Sequence, residues 1–180
     1  PDQTTRLRVI EHLTQLLKTV STYRATPILA EIQPPPDQKQ GKWVDATLLF
    51  ADVSGFSAIS QKLSTKGRAG AEEITQIVNK YFNAMIDVLH ENGGFVLKFG
   101  GDALLGMFAG PAEKMARYAV QAGLDMQRRM AIFSNYSTSI GRIKLQMKVG
   151  IHTGRIFAAH IGDPEQMEYW VIGKNVNLTA

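Results

Sequence analysis

The stretch FVLKFGGDALLGMF, residues 95–108, leaves a chain like this few ways to fold. Two apolar runs flank Gly100 and Gly101, and glycines accept the positive φ that a two-residue hairpin turn requires. The stretch therefore reads as a β-hairpin with Asp102 directly after the turn. Simple alternation puts Phe95, Leu97 and Phe99 on one face and Val96 and Lys98 on the other. A lysine and an aspartate thus flank a tight turn inside apolar strands, where charge is costly to bury unless it is paired or bound to a metal or ligand. A second apolar run, Leu48 to Ala51, ends in Asp52, fifty residues before Asp102. If these strands lie side by side, both carboxylates meet at one sheet edge and repel unless a cation sits between them. Hard oxygen ligands suit Mg²⁺ or Mn²⁺, which keep water and substrate phosphates as further ligands. Taken singly, each aspartate reads first as an ordinary strand-end or turn residue; the pair together with Lys98 reverses that preference.

The rest of the chain supplies a sheet and its cover. Residues 6–20 carry Val9, Ile10, Leu13, Leu16, Leu17 and Val20 at helical spacing, which fits a helix packing on its own domain or one facing a partner. Thr26-Pro27 resembles a helix start. Pro34-Pro35-Pro36 is a stiff linker and the expected domain boundary, so residues 1–36 read as a helical segment with a proline-rich linker. Strand 43–51 follows, then a short helix at 55–63 with Ser54 as its cap, and a long helix at 71–91 ended by Asn92-Gly93-Gly94. Ile74, Ile77, Val78, Tyr81, Phe82, Met85 and Leu89 form its core face. A second long helix at 112–133 offers Met115, Tyr118, Ala119, Ala122, Leu124, Met126 and Met130 to the core, and a polar loop at 134–139 follows. Residues 143–152 alternate as a half-buried strand, Thr153-Gly154 turns it, and 155–162 is another strand. A last short strand at 169–172 leads into a helix from Gly173. The order predicts an α+β fold, a mostly antiparallel sheet covered by helices, with a ferredoxin-like βαββαβ kernel.

The 180 residues suit one domain with a sizeable core. A net charge of +4 without a clustered basic patch points to an anionic small substrate at least as well as to nucleic acid, which is not expected as a partner. With no cysteine there is no disulfide framework and no thiolate zinc site, which fits a cytoplasmic location. No apolar run approaches the roughly 20 residues that span a membrane. The first residue is Pro rather than Met, which suggests a fragment.

Three motifs now stand in order. Phe50-Ala51-Asp52-Val53-Ser54-Gly55-Phe56-Ser57 resembles the first metal motif of class III nucleotide cyclases. Lys98-Phe99-Gly100-Gly101-Asp102 resembles their base-contacting lysine and second metal aspartate, and Val171-Ile172-Gly173-Lys174-Asn175-Val176-Asn177-Leu178 the motif that supplies the transition-state asparagine. The likeness runs from Trp43 to the end and leans towards the bicarbonate-responsive soluble adenylyl cyclases, although Gln166 stands where those have arginine. It implies a palm-type class III cyclase fold, with residues 43–180 as a catalytic domain whose C-terminal end is truncated.

The resemblance further implies conversion of ATP to 3′,5′-cyclic AMP and pyrophosphate. Two Mg²⁺ or Mn²⁺ ions would be held by Asp52, Asp102 and the Val53 carbonyl, and could activate the ribose 3′-hydroxyl and neutralise the leaving group. Amides of Ser54, Gly55, Phe56 and Ser57 would cradle the β- and γ-phosphates. Lys148 matches a basic residue directed at the phosphates, and is equally a solvated strand residue. Asn177 would orient the ribose; its family partner, an arginine, would fall just after Ala180. Lys98 suits the N1 acceptor of adenine and clashes with the N1–H of guanine. Trp170 occupies the second base-selecting place, with Val171 beside it as a further substrate-binding candidate. The family has Asp, Thr or Cys at that place, whereas the tryptophan would stack on the purine, fill the pocket or serve an interface. One protomer would give the metal ligands and the other Lys98 and Asn177, so a homodimer with shared sites is expected. The competing expectations are a cyclase-like module that binds nucleotide without turnover, and a guanylyl cyclase.

Overall fold

The computed structural model describes residues 3–21, 41–162 and 167–180. The Thr26-Pro27 helix start, the proline linker and Gln166 lie outside the described residues. The elements are α1 (Gln3–Ser21), β1 (Lys42–Ser54), α2 (Phe56–Ser64), α3 (Arg68–Glu91), β2 (Phe95–Gly100), β3 (Ala103–Ala109) and α4 (Ala112–Arg129). A 3₁₀ turn (Met130–Phe133), β4 (Tyr136–Thr138), β5 (Gly141–Ile143), β6 (Gln146–Gly162), β7 (Met167–Ile172) and α5 (Lys174–Asn177) complete the chain.

Five strands form one sheet in the order β2-β3-β1-β6-β7, and every pairing in it is antiparallel. Helices α3 and α4 cover one face. There Leu49, Ala51 and Val53 of β1 and Leu104 and Phe108 of β3 meet Ile77, Tyr81, Met85 and Leu89 of α3, and Ala119, Ala122 and Met126 of α4. Burying each large side chain here contributes about 1.5–3 kcal/mol. The opposite face has a smaller cluster, in which Ala46, Leu48, Phe95, Met107 and Ile156 are buried with Leu97, Leu105, Tyr169, Val171 and Val176 against them. This is the predicted α+β layering; of the core face expected of α3, Ile77, Tyr81, Met85 and Leu89 are buried with Ile74 and Phe82 against them, while Val78 stands outside the cluster.

Several local readings change. The hairpin turn is Gly101-Asp102, closed by the pair Gly100 and Ala103, with Gly101 at φ 65°; the turn sits one residue later than the Gly-Gly pair suggested. Thr153-Gly154 is no turn. Residues 146–162 form one long strand because β1 pairs with it without a break from Lys42–Ala158 to Ser54–Gln146. The expected polar loop at 134–139 contains β4, which pairs with β5 as a two-stranded side sheet. Tyr118 (40% exposed) and Leu124 (51%) leave the core, because α4 rests on the sheet through the narrower row Met115, Ala119, Ala122 and Met126.

Candidate active site

Strand register assembles the acidic end of the sheet. On β1, Asp52 stands opposite Ala103 of β3 and, on its other side, opposite Lys148 of β6. Asp102 precedes Ala103 in the hairpin turn. The two aspartates, fifty residues apart in the chain, therefore occupy neighbouring positions at one sheet end, both half-buried. Beneath them lies Tyr81 of α3, 3% exposed, whose hydroxyl donates to Met147 Sδ at 3.6 Å. Burial first, and then the negative charges of Asp52 and Asp102, hold its phenol well above the usual tyrosine range. One phenol thus senses both carboxylates. Among the described residues, no lysine, arginine or histidine forms an ion pair with either aspartate, and no group of three or more His, Cys, Asp or Glu side chains converges anywhere. The donor set here is two carboxylates and the adjoining backbone. That suits a hard divalent cation which completes its shell with water and phosphate oxygens.

A helix N-terminus abuts this pair. Gly55 caps α2 with φ 87°, a left-handed conformation that turns the chain sharply from β1 into the helix. Ser54 was expected to cap α2; it ends β1 instead, and no side chain bonds the amides of the first turn. The amide groups at Phe56 and Ser57 belong to that uncapped turn. Such orphan N–H groups at the positive end of a helix bind anionic oxygens.

Lys98 and Trp170, the positions expected to contact a base, are brought together by a bulge. Pairing along β2 shifts between Val96 and Lys98, so that Lys98 stands opposite Leu105 and Phe99 opposite Leu104. Phe99 accordingly packs on Phe82 of α3, with ring centroids 4.7 Å apart, while Phe95 and Leu97 join the open-face cluster. Alternation alone had placed Lys98 with Val96; the extra residue re-aims it. Its ammonium lies 4.5 Å from the centroid of the Trp170 ring. The two residues belong to opposite edges of a five-stranded sheet. Flat strands about 4.8 Å apart would keep those edges well separated, so the edges curl towards each other over the open face. Trp170 is 42% exposed, and its indole N–H donates to Glu168 Oε2 at 2.9 Å. Val171 packs half-buried in the open-face cluster.

Asn177 is exposed on the short helix α5, which is pinned to β6 by its neighbours. Asn175 Nδ2 donates to the Arg155 carbonyl at 2.8 Å, and its Oδ1 lies 2.9 Å from His152 Nε2. The Thr179 hydroxyl, 2% exposed, donates to the Asn175 carbonyl at 2.9 Å. Two glycines of β6 make room for this: a Cβ on Gly150 would lie 2.0 Å from the Thr179 carbonyl oxygen, and one on Gly154 would lie 2.5 Å from Asn175 Nδ2.

The fold therefore gathers the candidate residues into two groups, Asp52, Val53, Asp102, Lys148 and the α2 amides in one, and Lys98, Trp170 and Val171 in the other. Sequence reasoning missed Tyr81 as a partner of the acidic pair, Glu168 as the acceptor for Trp170, and Asn175 with His152 as the mooring of α5. Only the i, i+2 spacing of Glu168 and Trp170 on a strand was there to be read. A concavity on α4, around Glu113, Lys114, Arg117 and Tyr118, contains none of these groups.

Comparison with known proteins agrees with this geometry. Residues 39–180 match the family described as the adenylate and guanylate cyclase catalytic domain. Among curated relatives, adenylate cyclase type 10 of Oryctolagus cuniculus is 29% identical over 147 residues, 79% of this chain and 9% of that protein. Adenylate cyclase 1 of Rhizobium meliloti is 26% identical over 138 residues, 76% of this chain and 20% of that protein. The chain thus spans a small part of the length of these relatives. Among solved structures, the guanylyl cyclase Cya2 is 34% identical with a TM-score of 0.66, covering 77% of this chain and 68% of that one. The adenylyl cyclase CyaB from P. aeruginosa is 31% identical with a TM-score of 0.66, covering 78% and 71%. With the family match extending over more than half its length, the chain belongs to the adenylate and guanylate cyclase catalytic domain family.

Proposed function

We propose that this chain is the catalytic domain of an adenylyl cyclase that converts ATP to 3′,5′-cyclic AMP and pyrophosphate, with residues 43–180 as the domain and 1–36 as a preceding segment and linker. The observation that carries the reading is the pairing of Asp52 with Ala103, which sets two carboxylates, neither ion-paired among the described residues, beside an uncapped helix N-terminus. Asp52, Asp102 and the Val53 carbonyl would hold two Mg²⁺ or Mn²⁺ ions. Such ions, when bound, lower the pKa of the ribose 3′-hydroxyl and neutralise the leaving pyrophosphate.

The chain's own groups do the rest. Amides of Ser54, Gly55, Phe56 and Ser57 receive the β- and γ-phosphates, and Lys148, opposite Asp52, adds positive charge at the same end. The 3′-hydroxyl gives its proton to solvent water and its oxygen attacks the α-phosphorus in line; the bond from that phosphorus to the bridging oxygen breaks, and pyrophosphate departs. Asn177 donates to the ribose as charge develops. Lys98 donates to adenine N1. Among relatives, names of adenylate cyclases from several organisms favour ATP, whereas the likeness to the guanylyl cyclase Cya2 favours GTP; Lys98 is the residue on which the choice of ATP rests.

Apolar side chains left exposed on β2, on β7 and at the C-cap of α5, namely Phe99, Trp170, Ile172 and Leu178, favour a homodimer in which one copy supplies the acidic end and the other Lys98 and Asn177. Among the described residues no helix is long and apolar enough to cross a membrane; the proposed place of action is the cytoplasm, where ATP is available.

Turnover of ATP and GTP with Mn²⁺, scored as cyclic AMP and cyclic GMP, tests the reaction. Mixing D52A with N177A chains tests the shared sites: recovery of activity is expected, and its absence counts against the dimer. One observation favours a second reading, a nucleotide-binding module without turnover: Lys98 already lies against the Trp170 ring. Nucleotide binding with no cyclic product would decide for it.

A further inference from the structure

Trp170 occupies the place where a hydrogen-bonding side chain is expected, and it has nothing left to offer a base. An indole has one N–H donor and no acceptor, and that donor is given to Glu168 at 2.9 Å. The carboxylate that receives it has lone pairs to spare, since an ionised carboxylate accepts at about four sites. Glu168 is exposed. It does not pair with Lys98, because no ion pair between them occurs among the described residues. The indole therefore organises two groups of opposite character: the Lys98 ammonium lies 4.5 Å over its face, and the Glu168 carboxylate is held at its rim. Glu168 and Trp170 are two residues apart on β7, opposite Ile161 and Ala159 of β6, so the strand itself sets them side by side. A donor and an acceptor on one aromatic platform match the edge of adenine, which presents the N1 acceptor beside the N6 amino donor.

Resting on the reading of this site as a nucleotide cyclase, we infer that Glu168 is a further specificity-determining residue: its carboxylate, oriented by the Trp170 indole, accepts a hydrogen bond from the exocyclic amine of adenine while Lys98 donates to N1. The acceptor missing at position 170 is thus supplied two residues earlier on the same strand. Trp170 acts as a positioning residue for both neighbours.

Purine riboside triphosphate keeps the ring, the N1 acceptor and the triphosphate of ATP and lacks only the amine. The experiment measures kcat/KM for ATP and for this analogue in wild type, E168A, E168Q and W170F, with binding of each nucleotide measured in parallel and a melting curve for each variant. A hydrogen bond to a charged group discriminates by about tenfold to a hundredfold, so wild type should prefer ATP by that factor. E168A should bring the ratio of the two substrates close to one. E168Q, which keeps an amide oxygen, should retain part of it, and W170F, which frees the carboxylate from its anchor, should lower it. If E168A slows both substrates equally and leaves the ratio unchanged, Glu168 serves only to orient the ring and the inference is overturned while the cyclase reading stands. If wild type neither binds nor cyclises either nucleotide, the cyclase reading falls and this inference falls with it.

Discussion

Gly150→Ala should show how far the placement of α5 controls catalysis. The substitution adds one methyl group near the start of β6, at a residue outside the positive-φ region. Its Cβ would lie 2.0 Å from the Thr179 carbonyl oxygen. Ordinary contact begins at 3.4 Å, so the carbonyl must retreat about 1.4 Å. It is a backbone atom two residues past the end of α5, and Thr179 is tied to Asn175 through its buried hydroxyl. The whole turn therefore moves, and Asn177 moves with it. Overpacking of this kind costs about 1–3 kcal/mol, and at about 2–4 °C per kcal/mol for a domain of this size the melting temperature should fall by roughly 2–12 °C. Displacing a catalytic group by about 1 Å costs on the order of a hundredfold in rate. We expect kcat to fall by about that factor with KM little changed, because Asn177 is assigned to the transition state and the triphosphate is held elsewhere. Gly154→Ala is the control. Its Cβ would meet the flexible end of Asn175 at 2.5 Å, so the amide can swing aside at the expense of its bonds to His152 and Arg155, and the loss of kcat should be smaller. The assay is cyclic nucleotide formation under saturating and limiting substrate, with hydrogen exchange over residues 174–179 as the structural readout. A folded G150A protein with wild-type kcat and unchanged exchange at α5 would refute the reasoning.

Further outcomes follow from other parts of the site. Gly55→Ala meets no atom within 4 Å but must hold φ 87°; it should cost about 1–2 kcal/mol in a melt and raise KM for the triphosphate more than it lowers kcat. Lys98→Glu should lower kcat/KM for ATP by at least about tenfold and shift the ratio of cyclic GMP to cyclic AMP upward in parallel assays. Alkaline stability should carry the mark of two buried phenols. Tyr81 is held above its usual value of 10.0 by burial and then by Asp52 and Asp102, and Tyr169 is pushed up to about 12 by burial. A group raised in the folded state stabilises fully below its unfolded value, so this contribution is complete below pH 10.0 and is lost as pH rises through the folded values. Denaturant titrations from about pH 9 to 12 should show a steep alkaline loss that Y81F flattens.

Much of this protein was legible in its residues. The 3.6-residue spacing of Ile77, Tyr81, Met85 and Leu89 gave α3 and its buried face, and the apolar runs ending at Asp52 and around Gly100-Gly101 gave the central strands. The three motifs, in order, gave the family. Period and motif are local, and local energetics decide them. What they could not reveal depends on pairing across the chain. Thr153-Gly154 looks like a turn by composition and is the middle of a strand, because β1 offers it unbroken partners on one side and Asn175 fills the space above Gly154. Lys98 alternates with Val96 in sequence, yet a bulge against β3 turns it towards Trp170. Glu168 carries no motif at all and acquires a role only when the two sheet edges curl together. Side-chain periodicity belongs to one segment; register, bulges and sheet curvature are settled by two segments at once, and those decide which charges meet.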